Sequence, residues 1–289
     1  MRITRRALAP LALAAAALPA QAASPPWIDA HTHAFVRGLK LAVDARYAPT
    51  YDASWETLLK LAHANGVGRT VLLQPSFLGY DNSYLFGALK AGPNRFRGVP
   101  WVSPSIETRP EEWEEMARIG VRGLRFPILG LPTPQWSAYR EMFAEALKRD
   151  WPIHLYVESR RLPEMLPFLL DAGHKVVIPH YGMFDRTLGP ARDPGFKVLL
   201  ESARTGRVFV VMCGAYRVGP ERARMAAPML LDAFGPERLM WGSDWPHTDT
   251  DLNRVTTYPL TLRTFEDWVP DEAARRTILV DTPTKLYGF

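Results

Sequence analysis

A single cysteine, Cys213, stands in the 289 residues, so no intramolecular disulfide can form and stability has to come from the core. Cys213 follows the apolar run Val208–Met212 and reads as a small buried residue, not a nucleophile. No glycine-rich loop of the G-x-G-x-x-G or Walker type follows any strand-like run, which weakens nucleotide-binding readings. No block of basic residues suggests nucleic acid. Internal repeats are lacking, and no low-complexity tract lies past residue 24.

What is present begins with Arg5-Arg6, the Ala/Leu run Ala7–Leu18 and the small-residue stretch Pro19–Ala23. That is the charged, apolar and cleavage-site layout of a secretory signal, and it is too short and alanine-rich for a comfortable membrane span. Twin arginines ahead of a weakly apolar run predict a twin-arginine signal over residues 1–23, a bacterial periplasmic destination, and no stable membrane association after cleavage. Loss of Arg2, Arg5 and Arg6 would leave 35 − 3 = 32 basic residues against 30 acidic ones, a net charge of about +2.

From residue 24 to 289, with 47% hydrophobic residues in the whole chain, strand-length apolar runs alternate with segments of helical period. The strand candidates are Trp27–His31, Arg69–Gln74, Phe96–Val102, Val121–Phe126, Pro152–Val157, Lys175–His180, Arg207–Met212 and Arg238–Gly242. Between them lie helix candidates Ser54–Asn65, Asn82–Ala91, Glu111–Ile119, Pro134–Arg149, Arg161–Ala172, Pro194–Thr205 and Pro220–Phe234, followed by Tyr258–Trp268 and Asp271–Val280. Eight β-then-α units without a composition break predict one α/β domain, a single (β/α)8 TIM barrel; an open doubly wound sheet is the runner-up.

Chemistry in such a barrel gathers at the C-terminal ends of the strands. The first strand ends in His31 and His33, which at i and i+2 face the same way, roughly 6–7 Å apart along the strand. Ser76 follows strand 2, Arg122 and Arg125 lie on strand 4, and His154, Tyr156 and Glu158 share a face of strand 5. His180 ends strand 6, Tyr216-Arg217 follow strand 7, and Ser243-Asp244-Trp245 end strand 8. Three histidines and an aspartate thus converge on one mouth.

The combination His31-x-His33, His180 and Trp241-Gly242-Ser243-Asp244-Trp245-Pro246-His247 resembles the amidohydrolase superfamily. Arg46-Tyr47-x-Pro49, Gln74-Pro75-Ser76 and Gly120–Phe126 make it most similar to the branch that includes 2-pyrone-4,6-dicarboxylate lactonase and sugar-acid lactonases. The resemblance implies a barrel hydrolase in which Asp244 activates water and Arg125 and Arg217 bind a substrate carboxylate, with Tyr47, Ser76 and Tyr156 completing the polar contacts. His31, His33 and His180 would polarise the carbonyl, either as hydrogen-bond donors or, for two of them, by holding a metal.

Departures from the pattern carry information too. Tyr156 stands where many members have a strand 5 histidine ligand, and His154 lies about one layer deeper. Arg125 occupies the neighbourhood of the bridging group of binuclear members, which argues against two metals. The expectation is either no required cofactor or a single divalent ion such as Zn²⁺ held by His31, His33 and Asp244. Leu131 stands where the lactonase pattern has a second arginine, so a substrate with one carboxylate, or a neutral lactone, is at least as consistent as a dicarboxylate. The rival readings are a metal-dependent decarboxylase of an unsaturated acid and a non-catalytic exported binding protein. The partner expected is a small carboxylate or lactone; oligomeric state stays open.

Overall fold

The computed structural model describes residues 27–248 and 256–289, so the expected signal segment lies outside the described residues. Its strands are β1 (Trp27–Thr32), β2 (Val67–Leu73), β3 (Phe96–Val99), β4 (Leu124–Pro127), β5 (Ile153–Tyr156), β6 (Val176–Ile178), β7 (Val208–Met212) and β8 (Leu239–Trp241). The helices are α1 (Trp55–Ala64), α2 (Ser83–Ala91), α3 (Pro110–Ile119), α4 (Arg140–Lys148), α5 (Leu162–Asp171), α6 (Pro194–Ser202), α7 (Ala215–Val218), α8 (Pro220–Phe234), α9 (Tyr258–Trp268), α10 (Glu272–Arg276) and α11 (Thr282–Tyr287). None of them is long and apolar enough to cross a membrane.

All paired strands are parallel, in the orders β1-β2-β3 and β4-β5-β6-β7-β8. Backbone hydrogen bonds close both seams between these runs. Across one seam Arg122 N–H donates to Gly98 O at 2.9 Å and Arg125 N–H to Pro100 O at 2.8 Å, beside a parallel bridge from Gly98 to Val121. Across the other, Asp244 N–H donates to His31 O at 2.9 Å and His33 N–H to Trp245 O at 2.8 Å. The eight strands therefore form the expected barrel, with no free edge. The second seam also ties the ends of β1 and β8 together at the residues singled out as chemical.

Proline sets several strand lengths differently from expectation. β3 stops at Val99 before Pro100, and β6 stops at Ile178 before Pro179, because proline brings no N–H to continue a ladder. The expected strand at Val121–Phe126 becomes one bridge at Val121 followed by β4. The expected helix Pro134–Arg149 divides into a 3-10 turn, Trp136–Tyr139, and α4. Local signals hold where caps exist: Ser54 Oγ accepts the Thr57 N–H before α1, and Asp193 accepts the Phe196 N–H before α6.

Alternate residues of the strands fill the barrel interior: Ala30, Val71, Leu73, Val99, Val177, Val211 and Met240. Tyr287 of α11, a helix the sequence reading did not anticipate, joins this cluster fully buried. Its hydroxyl meets His154 Nε2 at 3.3 Å, so His154 faces the floor and not the mouth. Burial and the Arg125 charge lower the His154 pKa to about 3, consistent with a neutral core imidazole. Tyr287→Ala is expected to lower the unfolding free energy by about 3–5 kcal/mol, the usual range for deleting a buried aromatic ring. Tyr287→Phe should cost only about 1 kcal/mol, the worth of one hydrogen bond. Urea unfolding measures both, and equal losses would show that the hydroxyl, not the ring, holds the floor.

Candidate active site

Asp244 sits at the centre of the mouth with no solvent exposure. Its two oxygens face different chemistry. Oδ2 accepts from the Tyr216 hydroxyl at 2.5 Å and from Arg217 Nε at 2.9 Å. Oδ1 has no hydrogen-bond partner and faces His31 Nε2 at 3.7 Å and His33 Nε2 at 3.6 Å. Burial would raise this carboxyl, but the Arg217 charge, the largest opposing influence, outweighs burial and holds it well below the usual carboxylate range.

The backbone around the site is held in conformations that side chains rarely adopt. Asp244 has φ 59°, His180 φ 55°, Tyr181 φ 54° and His247 φ 64°. Each lies in the left-handed region, where residues with a Cβ persist only when surrounding contacts impose it. Two glycines allow the close approach. A Cβ on Gly214 would lie 2.6 Å from His180 Nδ1 and 2.9 Å from Asp244 Oδ2, and one on Gly242 would lie 2.6 Å from His31 Cβ.

Hydrogen-bond partners decide which ring nitrogen of each histidine carries the proton. His33 Nδ1 is 2.8 Å from Leu73 O, and a carbonyl can only accept, so Nδ1 bears the hydrogen. Burial is the largest influence lowering the His33 pKa, and in the resulting neutral ring Nε2 is a lone pair. The expectation that His33 donates to a substrate carbonyl is therefore corrected: it can accept a proton or bind a cation. His180 is the opposite case. Its backbone N–H donates to Cys213 Sγ at 3.4 Å, and Sγ lies 3.2 Å from His180 Nδ1. Burial pushes the Cys213 thiol far up, so the S–H proton is present to bridge to Nδ1. With the S–H donating to Nδ1, the ring proton of His180 lies on Nε2; burial lowers the pKa of this imidazole to about 3, so the ring is neutral.

A lone pair on His33 Nε2 and an ionised Oδ1 of Asp244 facing each other at 3.6 Å need a positive or proton-donating group between them. His31, itself kept neutral chiefly by burial, adds another unpartnered nitrogen. The ligand atoms of His31, His33 and Asp244 all lie within 4.8 Å of one another, a donor set that fits one divalent cation. The same gap also suits a water that donates to both acceptors. No such grouping extends to β4 and β5, where Arg125 and Tyr156 stand.

In front of this floor opens a narrow cleft lined by His33, Arg46, Tyr47, Ser76, Arg125, Tyr156, His180, Arg217 and Thr248 among others. Seven of the nine residues given roles from the sequence line it, His33, Tyr47, Ser76, Arg125, Tyr156, His180 and Arg217, and Asp244 lies beneath them. His31, the ninth, completes the floor. Arg125 is buried, donates to Gln74 O, and has its pKa drawn down by burial to about 10. Arg217 is less available than expected, since Nε serves Asp244 and Nη2 donates to Thr248 O at 2.9 Å. Arg122 turns away and donates to Ala117 O and Val121 O; Glu158 accepts from Gly130 N–H.

Four contributors had not been assigned a role from the sequence. Arg46 lines the pocket and anchors to Leu129 O at 3.2 Å. Thr248 accepts from the Tyr47 hydroxyl at 3.0 Å, and Tyr216 holds Asp244. Asp29 lies beneath the mouth, where its Oδ1 accepts the N–H groups of His31 at 3.2 Å and Ser243 at 2.9 Å. The period of a strand was a signal for Asp29, because D-x-H-x-H puts it on the face of the histidines; no local pattern marked Thr248.

Burial pushes the Asp29 carboxyl from 3.8 up to about 7, against the lowering effect of its Ser243 bonds. The folded protein then keeps a proton that the unfolded chain has released, so this group withdraws stability as pH rises from 3.8 to about 7. Asp29→Asn should flatten that part of the curve while retaining an oxygen acceptor for both amides. Urea midpoints across the range measure the slope, and an unchanged slope would mean that Asp29 is not its source.

Comparison with known proteins gives a consistent neighbourhood. The family model described as Amidohydrolase matches residues 28–289. The chain is 29% identical over 271 residues to a 4-sulfomuconolactone hydrolase of Hydrogenophaga intermedia, covering 90% of this chain and 88% of that protein. A crystal structure from Pseudomonas putida, described as a candidate 2-pyrone-4,6-dicarboxylic acid hydrolase, superposes with a TM-score of 0.83 at 37% identity, covering 91% of this chain and 97% of the other. A similarly described protein of Acinetobacter baumannii, solved with citric acid bound, gives 0.85 at 28% identity over 92% of this chain and all (100%) of that one.

Proposed function

The chain belongs to the amidohydrolase family, and from that premise we propose that it hydrolyses a lactone carrying at least one anionic group, with Asp244 as the base that activates water. The observation that carries this reading is the division of labour at Asp244. One oxygen is held by Tyr216 and Arg217, and the other is left open towards two imidazole nitrogens at the floor of a cationic pocket. The relatives named as lactone hydrolases support the reaction class, and the citric acid in the Acinetobacter protein supports affinity for carboxylates in this branch.

Asp244 is ionised throughout the neutral range, and the charges that keep it so also make it a modest base. Proton transfer is therefore coupled to attack, when the water oxygen becomes acidic as its bond to carbon forms. His180 Nε2–H supplies a donor for the developing oxyanion, and a neutral donor in a desolvated site costs little reorganisation. After ring opening, the proton on Asp244 returns to the leaving oxygen. A divalent cation, held by His31, His33 and Asp244, would supply carbonyl polarisation and a more acidic water.

Arg125, fixed by Gln74 O, and Arg46 at the rim are the groups placed to receive the substrate's anionic substituents. Leu131 removes one arginine from the lactonase pattern, while Arg46 brings another guanidinium to the same mouth. Two anionic groups on the substrate are thus compatible with the pocket. The twin-arginine layout of residues 1–23 extends the proposal to an exported, periplasmic enzyme.

Asp244→Asn should slow hydrolysis by about 10²–10⁴-fold while ligand binding is retained, since it removes the base but not the arginines. The assay is a panel of mono- and dicarboxylated lactones with protein both chelated and zinc-loaded, and near-normal turnover by the variant would remove Asp244 from the base role. Within that panel, Arg46→Gln should raise KM for a dicarboxylated lactone by about tenfold or more, and less for a monocarboxylated one. Equal changes for both would place Arg46 outside the binding contacts.

A further inference from the structure

Behind the reactive floor lies a second cluster that the proposed hydrolysis does not employ as a ligand set. A nitrogen of His31, a nitrogen of His180 and Cys213 Sγ lie within 4.8 Å of one another. All three residues are at most 2% exposed. Both His31 nitrogens lack hydrogen-bond partners, so a buried imidazole without a partner faces the thiol and the second ring. The His31 and His180 rings meet edge to face with centroids 4.9 Å apart, and Cys213 Sγ approaches His180 Nδ1 to 3.2 Å.

Cys213 also stands on the wall of a different cavity. It is one of the residues, with Gly214, Tyr216, Tyr181 and Gly242, lining a second cavity that shares no lining residue with the substrate pocket. His180 lines the substrate pocket itself. His180 and Cys213, in contact at 3.2 Å, thus line different spaces.

We infer that His31, His180 and Cys213 form a site for a thiophilic cation such as Zn²⁺, Cu⁺ or Cd²⁺, distinct from the His31, His33 and Asp244 set, and that its occupation inhibits the enzyme. Two imidazoles and a thiolate are the donors that soft and borderline ions select, whereas the set containing Asp244 offers a hard oxygen. Binding replaces the Cys213 S–H bond with a metal–sulfur bond and releases one proton to the solvent per ion. It occupies the His180 nitrogen that faces the thiol and takes His31 from the floor, since both sets draw on that one residue.

Cd²⁺ is the probe. Titrated into the folded, chelator-treated protein, it should produce the ultraviolet thiolate-to-cadmium charge-transfer absorption and release one proton per ion in weak buffer. Cys213→Ala and Cys213→Ser should both lose the absorption, and each should need at least about tenfold more Cd²⁺ for half-inhibition relative to its own metal-free rate, a loss typical even of an outer partner of a metal site. The serine variant keeps a hydroxyl against His180 should the alanine variant fail to fold. Cd²⁺ binding without the absorption assigns the ion to the Asp244 set and overturns the inference, as does inhibition undiminished in the variants. The spectroscopic arm requires no substrate, so its failure is distinguishable from a wrong assignment of the lactone.

Discussion

A carboxylate removed from water has to be neutralised where it sits, and the Asp244 side chain is wholly buried. Much of the mouth of this barrel answers that requirement. Arg217 and the Tyr216 hydroxyl, both just beyond β7, take one oxygen, and Thr248 in turn positions Arg217 through its carbonyl. The other oxygen is left to the histidines of β1. Stability and chemistry are coupled here, because the oxygen that remains open is also the one that can accept a proton from water.

The neighbouring histidines are differentiated by what their second nitrogen touches. Leu73 O holds the His33 proton on Nδ1 and leaves a lone pair towards Asp244, while His180 Nδ1 meets the Cys213 thiol. Burial keeps both rings neutral. Two imidazoles that look alike in the sequence are thus held by chemically different partners. The tight backbone approach at Gly214 leaves the His180 ring little room to turn.

The seam between β8 and β1 holds this arrangement in register. Asp29 binds the amides of His31 and Ser243, while the Asp244 and His33 amides cross between the same strand ends. Because the barrel closes there, residues more than 200 positions apart share one floor, as in the 214-residue separation of Asp29 from Ser243. At the opposite end Tyr287 and His154 fill the interior, so the cationic pocket has a packed base and is not a channel.

The number of strands, their parallel order and the residues at their C-terminal ends were legible in the sequence, because period and spacing are local properties of a chain. His31, His33 and Asp244 could be singled out, as could the deeper position of His154, since strand periodicity sets the layer in which a side chain lies. Strand ends shifted where Pro100 and Pro179 interrupt pairing, and α11 carried too weak a local pattern to be recognised before its packing was seen. Arg46 reaches the pocket only through a loop path, and Arg217 turns out to serve Asp244 as much as any substrate. Tertiary structure alone decided which atom of each residue faces which partner: the tautomer of His33, the contact of His180 with the thiol and the open oxygen of Asp244 depend on contacts across strands that no stretch of sequence encodes by itself.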